Sequence, residues 1–288
     1  VAETVRSVVD GAGLKRRQVM AAVGGHDVIV KKIPMDRMSE GDAREVIRWE
    51  AEQHVPFDME NVQLDFEILD PDADTPQMDV LLVAAKRELI ENRLSLLSDA
   101  GLEPNVIDVE AFALHNAFTR NYPHVRDGMV ALVNIGHETT NVNLLVDGEP
   151  ALTRDVPFGV RRLQQSLQRA RSLTSEQAED IIQGRADGAA LRSLRVERVD
   201  ELVLAIERAA AFIVAQSGGE GVRRVYLSGG GACVNGMVDV VAARMAVPAE
   251  VVSPLQRVAV RPEVMQAVPM EQLAPTLMLS IGLALRKS

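Results

Sequence analysis

The sequence predicts a chain that mixes strands and helices, of the α/β or α+β class. Strand and helix patterns alternate along it. Two short continuous apolar runs, residues 79–85 and 129–135, read as strands buried on both faces. Capping residues and glycines mark where helices start and stop. With 288 residues, 47% hydrophobic and 25% charged, the chain has the balance of one or two globular domains. Aromatics make up only 3%, so the core is aliphatic.

Residues 1–10 open in a helical pattern. Residues 19–23 and 27–33 read as strand, turn, strand about Gly24 and Gly25. Ser39, with Asp42 three positions on, starts a helix that carries Val46, Ile47 and Trp49 and ends before Pro56. Residues 62–69 alternate as a strand does, and Pro71 to Pro76 make a polar turn before the 79–85 strand. A helix over 86–100 follows, with Gly101 at its C-terminal cap. The second half opens with strands over 129–135, 140–146 and 150–156. Asp147-Gly148 between the last two is a hairpin signal. Helices dominate from 159 to 215. One starts at Thr174, whose capping box Gln177 completes, and ends at Gly184. A strand over 222–227, a glycine loop from Ser228 to Cys233 and a helix over 235–245 come next. Pro275 and Gly282 mark a buried final helix, and its apolar run, 277–285, is too short to cross a membrane.

Several function classes are excluded. The net charge of −10 offers no counterion release for broad nucleic-acid binding and no polybasic surface for anionic lipid. The lone Cys233 permits no internal disulfide and suits a reducing compartment. The five histidines, His26, His54, His115, His124 and His137, lack metal-ligand spacing, so no metal site is expected. There is no P-loop and no Gly-x-Ser-x-Gly elbow, and no catalytic residue is assigned. Cys233 reads as a small packing residue, His137 as a solvent-facing turn residue, and Glu50, Glu52 and Glu60 as a solvated face.

Two glycine turns carry the chemistry. The first runs from Asn134 through Gly136 to Thr139, Thr140 and Asn141. Glycine at a strand end lets backbone N–H groups converge, and threonine hydroxyls add donors, as a phosphate requires. An ordinary hairpin turn has the same composition. The second is Ser228, Gly229, Gly230, Gly231 and Ala232, between a strand and a helix. It admits close approach of a flat ligand or a phosphate, or simply lets strand and helix pack.

The two turns in this order have the layout of the second half of an actin-like ATPase fold. More specifically, the chain resembles the PilM family, the FtsA-related cytoplasmic components of type IV pilus assembly. The resemblance rests on residues 45–57 (Glu45 through Trp49 to Pro56 and Phe57), 81–85, 106–114, both turns, and 274–286. It implies an α/β, actin-like (ribonuclease H-like) two-lobed fold with an inserted α+β subdomain. Residues 1–18 and 103–127 would be what remains of the first lobe and 19–102 the insertion. Residues 128–288 would be the second lobe, with a helical insertion over about 160–221 and a last helix packing back on the first lobe.

It also implies ATP, with or without Mg²⁺, held between the lobes. Asn134, Gly136, Thr139 and Thr140 would lie at the phosphates, Gly229, Gly230, Gly231 and Ala232 at the adenosine, and Arg208 near the ribose or base. The implied partner is the N-terminal cytoplasmic peptide of a PilN-like inner-membrane protein, bound in a groove, with pilus motor or alignment-complex proteins beyond it. Trp49 would then serve that groove; as a lone tryptophan it otherwise reads as a core anchor. The implied location is cytoplasmic, peripheral to the bacterial inner membrane through the partner.

Three departures lower the expected nucleotide affinity and leave little or no hydrolysis. The family's first phosphate hairpin is absent before Val1, so the chain reads as N-terminally truncated. Asn134 stands where the family has Asp, and Ala205 where it commonly has Glu. Two rival readings are an active ATPase or phosphotransferase of the actin and sugar-kinase superfamily, and an FtsA-like division protein. Asn134 speaks against the first. The end at Arg286, Lys287 and Ser288, with no amphipathic membrane helix, speaks against the second.

Overall fold

The computed structural model describes residues 1–14, 18–186, 189–261 and 269–286. Residues 187 and 188, inside the expected helical stretch, and Lys287 and Ser288 at the end lie outside them. The described residues form two compact units, divided between Val109 and Glu110.

The first unit contains helix α1 (Ala2–Gly11), strands β1 (Gln18–Val23) and β2 (Val28–Asp36), helix α2 (Glu40–Glu52), strands β3 (Val62–Ile68) and β4 (Gln77–Lys86), helix α3 (Arg87–Asp99) and strand β5 (Glu103–Val109). Gly24 and Gly25 do not close a hairpin. β1 pairs in parallel with β5, whereas β2 joins an antiparallel sheet in the order β2-β4-β3. β4 is not buried on both faces as its apolar run suggested. Met78, Val80, Leu82 and Ala84 are buried, while the residues between them are only half-buried. The covering element is α2. Its Ala43, Ile47 and Ala51 recur at helical spacing and pack on Ile33, Met35, Val62 and the inward side of β4. Ser39 caps α2 as expected, its side chain accepting from the Asp42 N–H.

The second unit begins with α4 (Glu110–Asn121). Strands β6 (Met129–Ile135), β7 (Thr140–Val146) and β8 (Glu149–Val156) then form an antiparallel meander. Helices α5 (Val160–Arg171), α6 (Ser175–Ile182) and α7 (Ala189–Ser217) follow, then β9 (Arg224–Ser228), α8 (Met237–Met245), β10 (Ala249–Val251), α9 (Met270–Leu273) and α10 (Met278–Ala284). The sheet order is β10-β9-β6-β7-β8, with β9 parallel to β6. Asp147 and Gly148 both take positive φ, 52° and 88°, which the tight β7–β8 turn demands. The Thr174–Gln177 capping box starts α6 as read from the sequence.

Strand alternation gives this sheet two apolar faces. Ala131, Val133, Val142, Leu144, Val225 and Leu227 face a core with α5 to α8. Val130, Leu132, Leu145 and Tyr226 face α4 and α10 through Leu114, Phe118 and Met278. α10 meets α4 backbone to backbone. A Cβ built on Gly282 would stand 1.7 Å from the Ala113 carbonyl oxygen.

Candidate functional site

The two glycine turns meet at one end of the five-stranded sheet. In the first, the Gly136 N–H donates to the Thr139 carbonyl at 3.0 Å and closes the turn. The Gly136 and His137 carbonyls accept from the N–H groups of Val160 and Arg161. The start of α5 therefore satisfies two of its otherwise orphan donors on this turn. Gly159 makes that approach possible, since a Cβ there would lie 2.3 Å from the His137 carbonyl oxygen.

The second turn is not an open loop. Residues Gly230–Cys233 form one turn of 3₁₀ helix, entered through Gly229 at φ 79°. Gly229 packs under β6, where a Cβ would come within 2.5 Å of the Ile135 carbonyl. At Gly231 a Cβ would stand 2.1 Å from the Ile135 side chain. Ile135 thus fills the space that two glycines vacate. Gly230 alone faces open space.

Between the turns lies a cavity of about 660 Å³. Gly136 and His137 wall one side and Gly230, Cys233 and Val234 another. Glu179, Ile182, Gln183 and Arg185, along the end of α6, with Val160, Gln272 and Thr276 complete it. Its volume falls in the range that small ligands occupy. Val160, Ile182 and Val234 offer apolar contact for a ring, while Gln183, Gln272 and Thr276 offer hydrogen bonds. Arg185 is held by Asp180, with Nε donating at 2.8 Å. Burial pushes the Cys233 thiol up from its ordinary pKa, and its Sγ donates to the Gln272 carbonyl at 3.4 Å. Among the described residues no group of three or more His, Cys, Asp or Glu is placed to hold a metal ion.

A polar row crosses the sheet beside the turns, on the α4 side. The register sets Ser228 beside Asn134, Asn134 beside Asn141, and Asn141 beside Asp155. The Ser228 hydroxyl donates to Asn134 Oδ1 at 3.1 Å, and Asn141 Nδ2 donates to Asp155 at 2.9 Å. Asn141 is only 4% exposed, and its Oδ1 is buried without a hydrogen-bond partner.

A profile of the family described as type IV pilus assembly protein PilM matches residues 1–288. The chain belongs to the PilM family. A solved PilM–PilN type IV pilus biogenesis complex superposes with a TM-score of 0.87 at 27% identity, over 99% of this chain and 84% of that one. More distant matches are the ethanolamine utilization protein EutJ from Carboxydothermus hydrogenoformans (TM-score 0.42, 22% identity, 68% of this chain and 60% of that one) and MreB 5 of Spiroplasma citri bound to AMPPNP (0.47, 12%, 69% and 63%). The strands and helices form the α/β class that the sequence predicted, and the fold is that of the PilM in the PilM–PilN complex.

Within this PilM-family chain the expected nucleotide residues do not all converge. Gly136 and Gly230 line the cavity. Gly229, Gly231 and Ala232 serve the packing against β6 and in the core. Thr139 is exposed in its turn. Thr140 is a correction: its hydroxyl is fully buried and donates to the Phe158 carbonyl at 2.9 Å, so it is not free for a phosphate. Asn134 belongs to the polar row. Arg208 is exposed on α7 and does not line the cavity. Five residues on, Ile213 lies with Met129 at the other end of β6. Trp49, in the first unit, is 74% exposed, which overturns its reading as a core anchor. Cys233, read as a small packing residue, is exposed as a residue and lines the cavity, where its partly desolvated thiol meets the Gln272 carbonyl. The sequence reading missed Gly159, Ile182, Gln183, Arg185, Gln272 and Thr276. A signal existed for the three at the end of α6, which Gly184 marked, but nothing local said that this end turns to the cavity.

Proposed function

We propose that this PilM-family chain is an adaptor of type IV pilus assembly. It holds the N-terminal cytoplasmic peptide of a PilN-like inner-membrane protein, and so stands at the membrane through that partner, in reach of pilus motor or alignment-complex proteins. The supporting observation is the superposition on the PilM–PilN complex over 99% of the chain. No helix among the described residues is long and apolar enough to cross a membrane. Trp49, exposed on α2, is the side chain assigned to the peptide. Calorimetric titration of the chain with a synthetic N-terminal PilN peptide should give saturable binding. A flat titration would refute the adaptor reading.

The cavity between the glycine turns suits ATP bound weakly. Its volume and its apolar walls fit a nucleoside. His137 and Arg185 offer N–H donors for phosphate, but Arg185 is paired with Asp180 and Glu179 lines the same wall, in keeping with weak binding. Asn134 supplies an amide where a cation-binding carboxylate would be expected, so little or no hydrolysis should follow. Titration with ATP should show binding that Arg185→Ala weakens, together with steady-state turnover no higher than that of a Gly136→Val control.

A further inference from the structure

The peptide reading leaves open what kind of segment α2 would receive, and α2 carries an answer. Its inner stripe, Ala43, Ile47 and Ala51, is buried. Its outer stripe, at spacings of three and four, is Asp42, Glu45, Trp49 and Glu52, all exposed. The two cations of the helix are engaged elsewhere. Arg44 pairs with Glu40 and lies 5.3 Å from the Phe66 ring centroid, and Arg48 donates to the Met59 carbonyl. Asp42 is tied to Ser39. Glu45 and Glu52 have no ion-pair partner among the described residues, and they bracket Trp49 one turn before and one turn after it.

An exposed tryptophan between two unpaired carboxylates is complementary to one chemistry. The ring face attracts a cation, the flanking carboxylates receive its N–H groups, and the ring edge offers apolar area to a neighbouring side chain. The same charges repel an acidic segment. We infer that the segment docked on α2 is basic, with an arginine or lysine over Trp49 between Glu45 and Glu52 and an apolar residue beside it. This rests on the reading that the chain receives a PilN-type peptide.

Trp49 is the only tryptophan, so its fluorescence reports the contact directly. The test titrates the full chain with the synthetic N-terminal PilN peptide at low and high salt. It uses the wild type, Trp49→Ala and Glu45→Gln/Glu52→Gln, each checked by circular dichroism, and a peptide with its basic residues changed to Gln. The expected results are a shift of Trp49 emission on binding, about tenfold weaker binding by Trp49→Ala, and several-fold weaker, salt-insensitive binding by the double variant. The neutral peptide should match the double variant.

If the wild type binds as tightly as Trp49→Ala with no change in emission, the α2 site is wrong while the adaptor reading stands. If Trp49→Ala weakens binding but the double variant and the neutral peptide do not, the basic character is wrong. Concentration-dependent self-association that Trp49→Ala abolishes would make a second copy the occupant and overturn the inference. No binding by the wild type overturns both readings.

Discussion

Gly282→Ala tests the packing of the last helix. Mid-helix alanine is ordinarily favoured over glycine by about 1 kcal/mol. Here the added methyl would stand 1.7 Å from the Ala113 carbonyl oxygen and 2.4 Å from its carbon, whereas ordinary contact begins at 3.4 Å. Both partners are backbone, so no rotamer can relieve the clash. α10 must move from α4, which loosens Met278 in the core with Leu114 and Phe118. Overpacking of this kind costs about 3 kcal/mol, at the upper end of its usual range. After the propensity gain, about 2 kcal/mol of destabilisation remains, a fall in Tm of about 4–8 °C for a unit of this size. Thermal unfolding by circular dichroism measures it. Gly41→Ala is the control, since a Cβ at Gly41 meets only Ser39 Oγ at 3.7 Å, and it should leave Tm unchanged or raise it. A Gly282→Ala protein as stable as wild type would show that the α4–α10 contact is wrong.

Four further outcomes follow from the site and its surroundings. Gly159→Ala should lower stability by about 1–3 kcal/mol and weaken any ATP binding, because the methyl would strike the His137 carbonyl; urea unfolding and titration measure the two effects. Asn134→Asp would set a carboxylate opposite the unpartnered Asn141 Oδ1 and should cost about 1–3 kcal/mol by urea unfolding at neutral pH. Cys233 alkylation should be slower at neutral pH than that of a free thiol and should accelerate only at higher pH, since a raised pKa leaves less thiolate; ATP in the cavity should slow it further. Asp70 is held below its ordinary pKa first by the Asp79 N–H and then by Arg37. Its contribution is present above the unfolded value near 3.8 and is lost as pH falls through the lower folded value, so Asp70→Asn should flatten the acid limb of a stability–pH curve.

What was legible in the sequence was local. Asp147-Gly148 fixed a hairpin because both positions need positive φ, and Thr174 with Gln177 fixed a helix start because the cap is made within four residues. What misled was partnership. The apolar run of β4 resembles that of β6, yet only β6 is covered on both faces, and coverage is supplied by elements far along the chain. Strand parity limited the phosphate reading: Thr140 points to the same face as Val142 and Leu144, so it cannot share a ligand with Asn141. That Arg208 does not line the cavity was not legible, because α7 spans 29 residues and its pattern does not say which turn meets the cavity. Trp49 lies on the helix face opposite Ile47, a placement that helical spacing shows once Ala43, Ile47 and Ala51 are known to face inward.

Ile135 has its carbonyl against Gly229 and its side chain against Gly231, so two turns more than ninety residues apart share one bearing surface. Their sequences are therefore not free to drift separately. A methyl at position 231 would stand 2.1 Å from Ile135 Cγ2 and 2.6 Å from its Cβ, so Ile135→Ala relieves only the closer contact. Gly231→Ala with Ile135→Ala should therefore cost less than the sum of the two single changes without restoring wild-type stability. Among relatives, bulk at these two positions should trade off, with the sum of their volumes held nearly constant while each residue varies.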